Sequence, residues 1–205
     1  MISDLKEEDI EQVILISDKM VGESFQTPDS IKKYITDKHK ILKVYKFNGE
    51  IIGFVKGKII GKSTFKDTLL KTNSVIKTVL MGEGNMGLAE TICVKNKFRG
   101  TGIAQELADD LIGSLKQVEP IDIICSTLWK AGGVANARRI VENIGFKMIT
   151  EIEDYWYKDS IVKDYICPSC GKPPCKCSMI FYRLEIPLNG IPGMCESDYP
   201  PLWER

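Results

Sequence analysis

The stretch LAETICVKNKFRGTGIAQELADDLI, residues 88–112, sets an apolar run, a glycine-bearing turn and an amphipathic run in immediate succession. Residues 88–94 read as a largely buried strand. Ala104, Leu107, Ala108, Leu111, Ile112 and Leu115 share one broad face of a helix over about 102–115. The apolar run 121–128 then supplies a second strand, and strand, helix and strand in that order make a right-handed parallel crossover. In the turn, Gly100, Gly102 and the small Ala104 remove side-chain bulk. Backbone N–H groups can therefore converge there with the unsatisfied donors and partial positive charge of the new helix. Arg99 at the lip adds a charge-assisted donor. The turn is shaped for a pyrophosphate, yet it is neither a G-x-x-x-x-G-K-[ST] loop nor a G-x-G-x-x-G loop, because Gln105 holds the last glycine position.

The flanking sequence supplies the rest of a mixed sheet with helices on both faces. Residues 9–20 carry Ile10, Val13, Ile14 and Ile16 at helical spacing, and Thr27-Pro28 opens a second helix. Residues 41–60 are two strand-like runs joined at Asn48-Gly49, a strong hairpin signal. Residues 61–85 are mixed in polarity and read as an insertion or elaborated loop. Residues 136–144 form a helix capped by Asn136 and stopped by Gly145. Residues 146–157 and 178–186 read as the last two strands, and 187–205 as an irregular tail.

Lys plus Arg and Asp plus Glu each number 28, so no global field draws the 205-residue chain to nucleic acid or an anionic membrane. The first twenty residues have acids where a leader would be basic, and no run approaches the ~18 apolar residues of a membrane span. A cytoplasmic monomer or homodimer is expected. The single histidine, His39, leaves little scope for His-based catalysis.

ETICVKNKFRGTGIAQELADDLI strongly resembles the acetyl-CoA-binding motif of the GNAT N-acetyltransferase superfamily, [Q/R]-x-x-G-x-[G/A] after a strand ending in an apolar-Val pair. Arg99, Gly102 and Ala104 occupy the three defined positions, and Cys93-Val94 ends the strand. NARRIVENIGF, residues 136–146, looks like that superfamily's later helix, and the resemblance covers roughly 1–160 plus 179–186. It implies an α/β fold with a mixed, mostly antiparallel sheet and a splayed parallel strand pair at the cofactor site. It also implies transfer of acetyl from acetyl-CoA to a primary amine. Backbone groups of Ile92, Cys93 and Val94 are then expected on the pantetheine arm. The amides of Arg99, Gly100, Thr101, Gly102, Ile103 and Ala104 are expected on the pyrophosphate, with Asn136 and Ala137 beside the arm.

Amine attack on a thioester needs a base, an oxyanion donor and a fate for the thiolate. Glu90 is the candidate base: strand alternation sets it on the face of Ile92 and Val94, and half-burial there would raise its pKa. A bulge is expected near Cys93, beyond Glu90. The Val94 amide is the candidate oxyanion donor. Relatives place a tyrosine where this chain has Val141, so Tyr155 and Tyr157 on the following strand are the substitutes, with Tyr157 as the candidate acid.

CPSCGKPPCKC places Cys167, Cys170, Cys175 and Cys177 within eleven residues. The C-P-x-C-G half is a metal-binding knuckle, and four thiolates suit tetrahedral Zn²⁺ in a closed structural site. The second pair is C-x-C, so Cys195 can replace a ligand, and an iron–sulfur centre or a redox disulfide uses the same residues. The domain therefore spans 1–186, with this insertion at about 160–178. The acidic run 150–164 would suit a cationic amine, on a small molecule or a peptide. The rival functions are a non-catalytic acyl-CoA-binding module and a metal-dependent regulatory or interaction protein on the same scaffold.

Overall fold

In the computed structural model, which describes residues 1–23 and 25–187, Asn48 and Gly49 take φ of 49° and 80°. Those left-handed values are what a two-residue turn needs to match the twist of two strands. They join β2 (Lys40–Phe47) to β3 (Glu50–Gly61). The other strands are β1 (Ile2–Asp4), β4 (Asn85–Val94), β5 (Ile123–Lys130), β6 (Lys147–Ile152) and β7 (Ser178–Glu185). They form one seven-stranded sheet in the order β1-β2-β3-β4-β5-β7-β6. Every pairing is antiparallel except β4 with β5.

One face is covered by α5 (Ile103–Val118), whose fully buried Leu107, Leu111 and Leu115 pack on Ile52, Val55 and Ile124. Each such side chain contributes on the order of 1.5–3 kcal/mol. The short α6 (Arg138–Ile144) adds Val141 to that core. The other face carries α1 (Ile10–Met20) and α2 (Pro28–Thr36), which close over Val44, Ile51, Phe54 and Cys93. The architecture is the expected mixed, mostly antiparallel sheet with helices on both sides.

Several local expectations give way. Residues 61–85 are not a loop: α3 (Lys62–Thr68) and α4 (Ser74–Val79) bury Phe65, Ile76 and Leu80 against Met86 and Phe181. Asn136 does not cap α6; that helix starts at Arg138, after Ala137 in a right-handed turn. β6 ends at Ile152, so Tyr155 and Tyr157 are not on it, and Tyr157 opens α7 (Tyr157–Lys163). Most of the expected tail, from residue 188 on, lies outside the described residues, as does Cys195.

Candidate active site and thiolate centre

β4 and β5 pair over only three positions, Gly87–Ile124, Leu88–Cys125 and Ala89–Ser126. Beyond Ala89 they part, and the wedge between them opens toward the start of α5. The β3–β4 register jumps from Gly57↔Ala89 to Lys56↔Thr91, so Glu90 is the extra residue of a β-bulge. The bulge therefore falls at Glu90 and not near Cys93.

Two consequences follow. First, the Lys95 amide donates to the Ile52 carbonyl across the Gly53↔Val94 pair. In antiparallel geometry that makes Val94, and by alternation Ile92, residues whose own N–H and C=O point away from β3 into the wedge. Cys93 instead exchanges its backbone bonds with Phe54. Its side chain sits in the α1/α2 core, where burial lifts the thiol to about 12. Cys93 therefore offers the wedge neither backbone nor thiolate.

Second, the extra residue puts Glu90 on the opposite face from Ile92 and Val94, which pack in the α5 core. Its carboxylate takes a hydrogen bond from the Tyr34 hydroxyl of α2 and an ion pair from Lys58 Nζ at 2.8 Å. Burial raises the Glu90 carboxyl, but the charges of Lys56 and Lys58 and the bonds from Lys58 and Tyr34 outweigh it. The group is held below the usual carboxylate range, not above it as the sequence suggested. Burial and Glu90 push the Tyr34 phenol far up, so it stays a donor. Neither Tyr34 nor Lys58 was foreseen. Lys56 and Lys58, two apart in the otherwise apolar run 51–60, are the visible signal for this pair in the sequence.

At the mouth of the wedge, Gly100 and Gly102 adopt φ of 76° and 91° with open space where a Cβ would stand. The Arg99 amide is engaged by the Asn96 carbonyl at 3.2 Å, whereas the amides of residues 100–104 have no partner among the described residues. Five free donors at the start of a sixteen-residue helix fit a diphosphate. The Arg99 guanidinium reaches back to the Val94 carbonyl at 3.4 Å. Asn136 is exposed and Ala137 half-buried in the turn before α6.

No tyrosine joins Glu90 from the later helix: Val141 is buried in the α5 core, and Tyr182 of the same core gives its hydroxyl to Glu142 at 2.9 Å. The Tyr155 hydroxyl accepts from the Leu70 amide at 3.1 Å. Tyr157 is 41% exposed and does not line the open cavity of about 660 Å³ on the α2 face. That cavity has Gln26, Ser30 and Lys56 deep within it and Phe25, Tyr165 and Ile166 toward its rim.

The four cysteines of the knuckle converge, all Sγ atoms lying within 4.8 Å of one another. Cys167 and Gly171 exchange backbone bonds at 2.9 and 2.8 Å, and the Cys170 and Lys176 amides point at the sulfurs of Cys167 and Cys170, both at 3.4 Å. Three of the six sulfur separations, 3.8, 3.4 and 3.9 Å, lie near the ~3.8 Å edge of a tetrahedron with ~2.3 Å Zn–S bonds. They are far too long for a disulfide. The Cys175 amide donates to the buried Ser160 hydroxyl at 2.8 Å, fastening the knuckle to α7. Of the acidic run, Glu151 is paired with Lys130 and Asp159 with Lys163, while Asp164 lines the cavity.

A splayed parallel strand pair, outward amides on one arm and a glycine-turned helix start define a GNAT-like mixed α/β fold. The family model "Acetyltransferase (GNAT) family" matches residues 12–146, more than half of the chain, and the protein belongs to that family. Among solved structures it is similar to Arabidopsis thaliana NAA60 in complex with acetyl-CoA, at 14% identity and a TM-score of 0.65, covering 91% of this chain and 98% of that one. The ribosomal-protein-S18-alanine N-acetyltransferase of Escherichia coli gives 15% identity and 0.61, over 93% and 96%. Chaetomium thermophilum Naa20 in complex with a bisubstrate analogue gives 12% and 0.64, over 91% and 86%. No curated protein matches by sequence. Among the described residues no helix is long and apolar enough to cross a membrane.

Proposed function

We propose that the protein is an N-acetyltransferase that moves acetyl from acetyl-CoA to a primary amine by direct attack, with a structural Zn²⁺ in its four-cysteine knuckle. The observation that carries the reading is the coincidence of free amides at residues 100–104 with outward amides at Ile92 and Val94. Acetyl-CoA, when bound, supplies an activated acyl group and a thiolate leaving group stable enough to depart without a dedicated acid. The chain's part is to hold the diphosphate on Gly100, Thr101, Gly102, Ile103 and Ala104. The Val94 amide holds the arm, and Ile92, two residues nearer Glu90, donates to the carbonyl oxygen; this reassigns the oxyanion role expected of Val94.

Glu90 stands where the wedge begins, between the cofactor arm and the α2 face. Its depressed pKa makes it an anchor for an incoming ammonium and a relay for its proton, not a strong base. Lys58 and Tyr34 fix the carboxylate's position. The acceptor reaches it from the α2 face, as a small amine or a peptide amino terminus.

Purified protein incubated with acetyl-CoA and a panel of amines and peptide amino termini should release CoA. Glu90→Gln should lower kcat roughly 10²-fold while acetyl-CoA affinity stays within about twofold. Tight acetyl-CoA binding with no turnover across the panel would instead favour the non-catalytic acyl-CoA-binding module.

A further inference from the structure

Lys56 is the one lysine of β3 whose head enters the α2-face cavity, and the residue is only 7% exposed. Among the described residues no carboxylate lies within 4.0 Å of its Nζ; the Glu90 carboxylate beside it is taken by Lys58 at 2.8 Å and by Tyr34. The ammonium instead sits 5.3 Å above the Tyr34 ring, a contact that partly offsets desolvation without neutralising charge. In the buried part of the site Lys56, Lys58 and Glu90 leave one positive charge in excess; the other charged residues of the cavity, Glu23, Lys163 and Asp164, are exposed at its rim. Buried charges are ordinarily paired, because desolvating an unmatched ion is costly. The deep part of the cavity adds the buried Gln26 and the half-buried Ser30.

Resting on the acetyltransferase reading above, we propose that Lys56 is the acceptor-specificity residue and that the acceptor carries a carboxylate close to its amine. The amine docks at Glu90 while the carboxylate meets Lys56; once the amine has lost its proton for attack, the acceptor's remaining charge is the anion that offsets the excess beside Lys58 and Lys56. Two sources provide that chemistry: the α-carboxylate of a free amino acid, and an acidic side chain at the first or second residue of a peptide. Burial also depresses the Lys56 amine, Glu90 opposing, which is the direction expected of a cation lacking its partner.

The test uses full-length protein with three matched peptide sets whose first two residues carry acidic, neutral or basic side chains, together with free glutamate and glycine. CoA release gives kcat/KM, and equilibrium binding of each acceptor in the presence of CoA gives a readout independent of turnover. Wild type should favour acidic over neutral acceptors at least tenfold in both measurements. A peptide preference without amino-acid activity assigns the side-chain source, and the reverse assigns the α-carboxylate. Lys56→Met should abolish the preference while leaving acetyl-CoA binding and the melting temperature intact, because it removes an unpaired buried charge. Lys56→Gln serves as a second variant should the methionine protein fold poorly. Lys56→Glu should shift preference toward basic acceptors. Equal binding of acidic and neutral acceptors, or a uniform loss across all sets in Lys56→Met, overturns the inference. Charge-selective binding without CoA release would retain it and overturn only the acetyl-transfer reading.

Discussion

Glu90 shows how one inserted residue redirects a site. Strand alternation alone would group it with Ile92 and Val94; the bulge gives it to Tyr34 and Lys58. A bulge leaves no compositional mark in ETICV, so the partners of Glu90 are not legible in the sequence. Its depressed pKa has a thermodynamic consequence. A carboxyl lowered in the folded state contributes stability that is complete above its ordinary value, about 4.3, and is lost as pH falls through the folded value. Glu90→Gln should therefore cost about 1–3 kcal/mol near pH 7. The gap to wild type should narrow progressively below about pH 4.3 in urea melts. A gap unchanged over that acid range would mean that the ion pair adds nothing.

At the scale of elements, the loop before α5 was the most readable part of the chain, because glycines at 100 and 102 have a direct backbone meaning. Gly102→Ala tests it. A φ of 91° disfavours any Cβ, and the added methyl would project into open space that a diphosphate bound as proposed would occupy. The variant should lose about 1–2 kcal/mol of stability and at least tenfold in acetyl-CoA affinity by calorimetry. Lost stability with unchanged affinity would remove the loop from the cofactor site. The less readable elements were short. α3 and α4, of seven and six residues, carry too few turns for a periodic signal, and their helicity comes from burying Phe65 and Ile76. Tyr157 is misplaced for a related reason: the aromatic run 155–157 begins just past the end of β6, and the reversal at Asp154, with φ of 49°, separates strand from helix.

Across the whole molecule, the cysteine knuckle near the end of the chain meets the loop near its beginning. A Cβ at Gly22 would stand 2.9 Å from the Ile166 carbonyl, one residue before Cys167. Phe25 meets Tyr165 edge-on at 6.5 Å. These contacts form the rim of the α2-face cavity, whereas α5 packs on the other side of the sheet. A metal bound by Cys167, Cys170, Cys175 and Cys177 would therefore fix the cavity wall proposed for the acceptor and leave the α5 face of the sheet untouched. Elemental analysis of the purified protein should find one zinc per chain. Chelation under reducing conditions should raise amide exchange in residues 157–177 and also in 25–30, while 103–118 stay protected. The acceptor KM should rise at least tenfold as the acetyl-CoA Kd holds within about twofold, and added Zn²⁺ should restore both. Exchange confined to 157–177 with an unchanged KM would reduce the knuckle to a staple for the β6–β7 connection, because only a shared wall carries the loss of metal as far as Phe25.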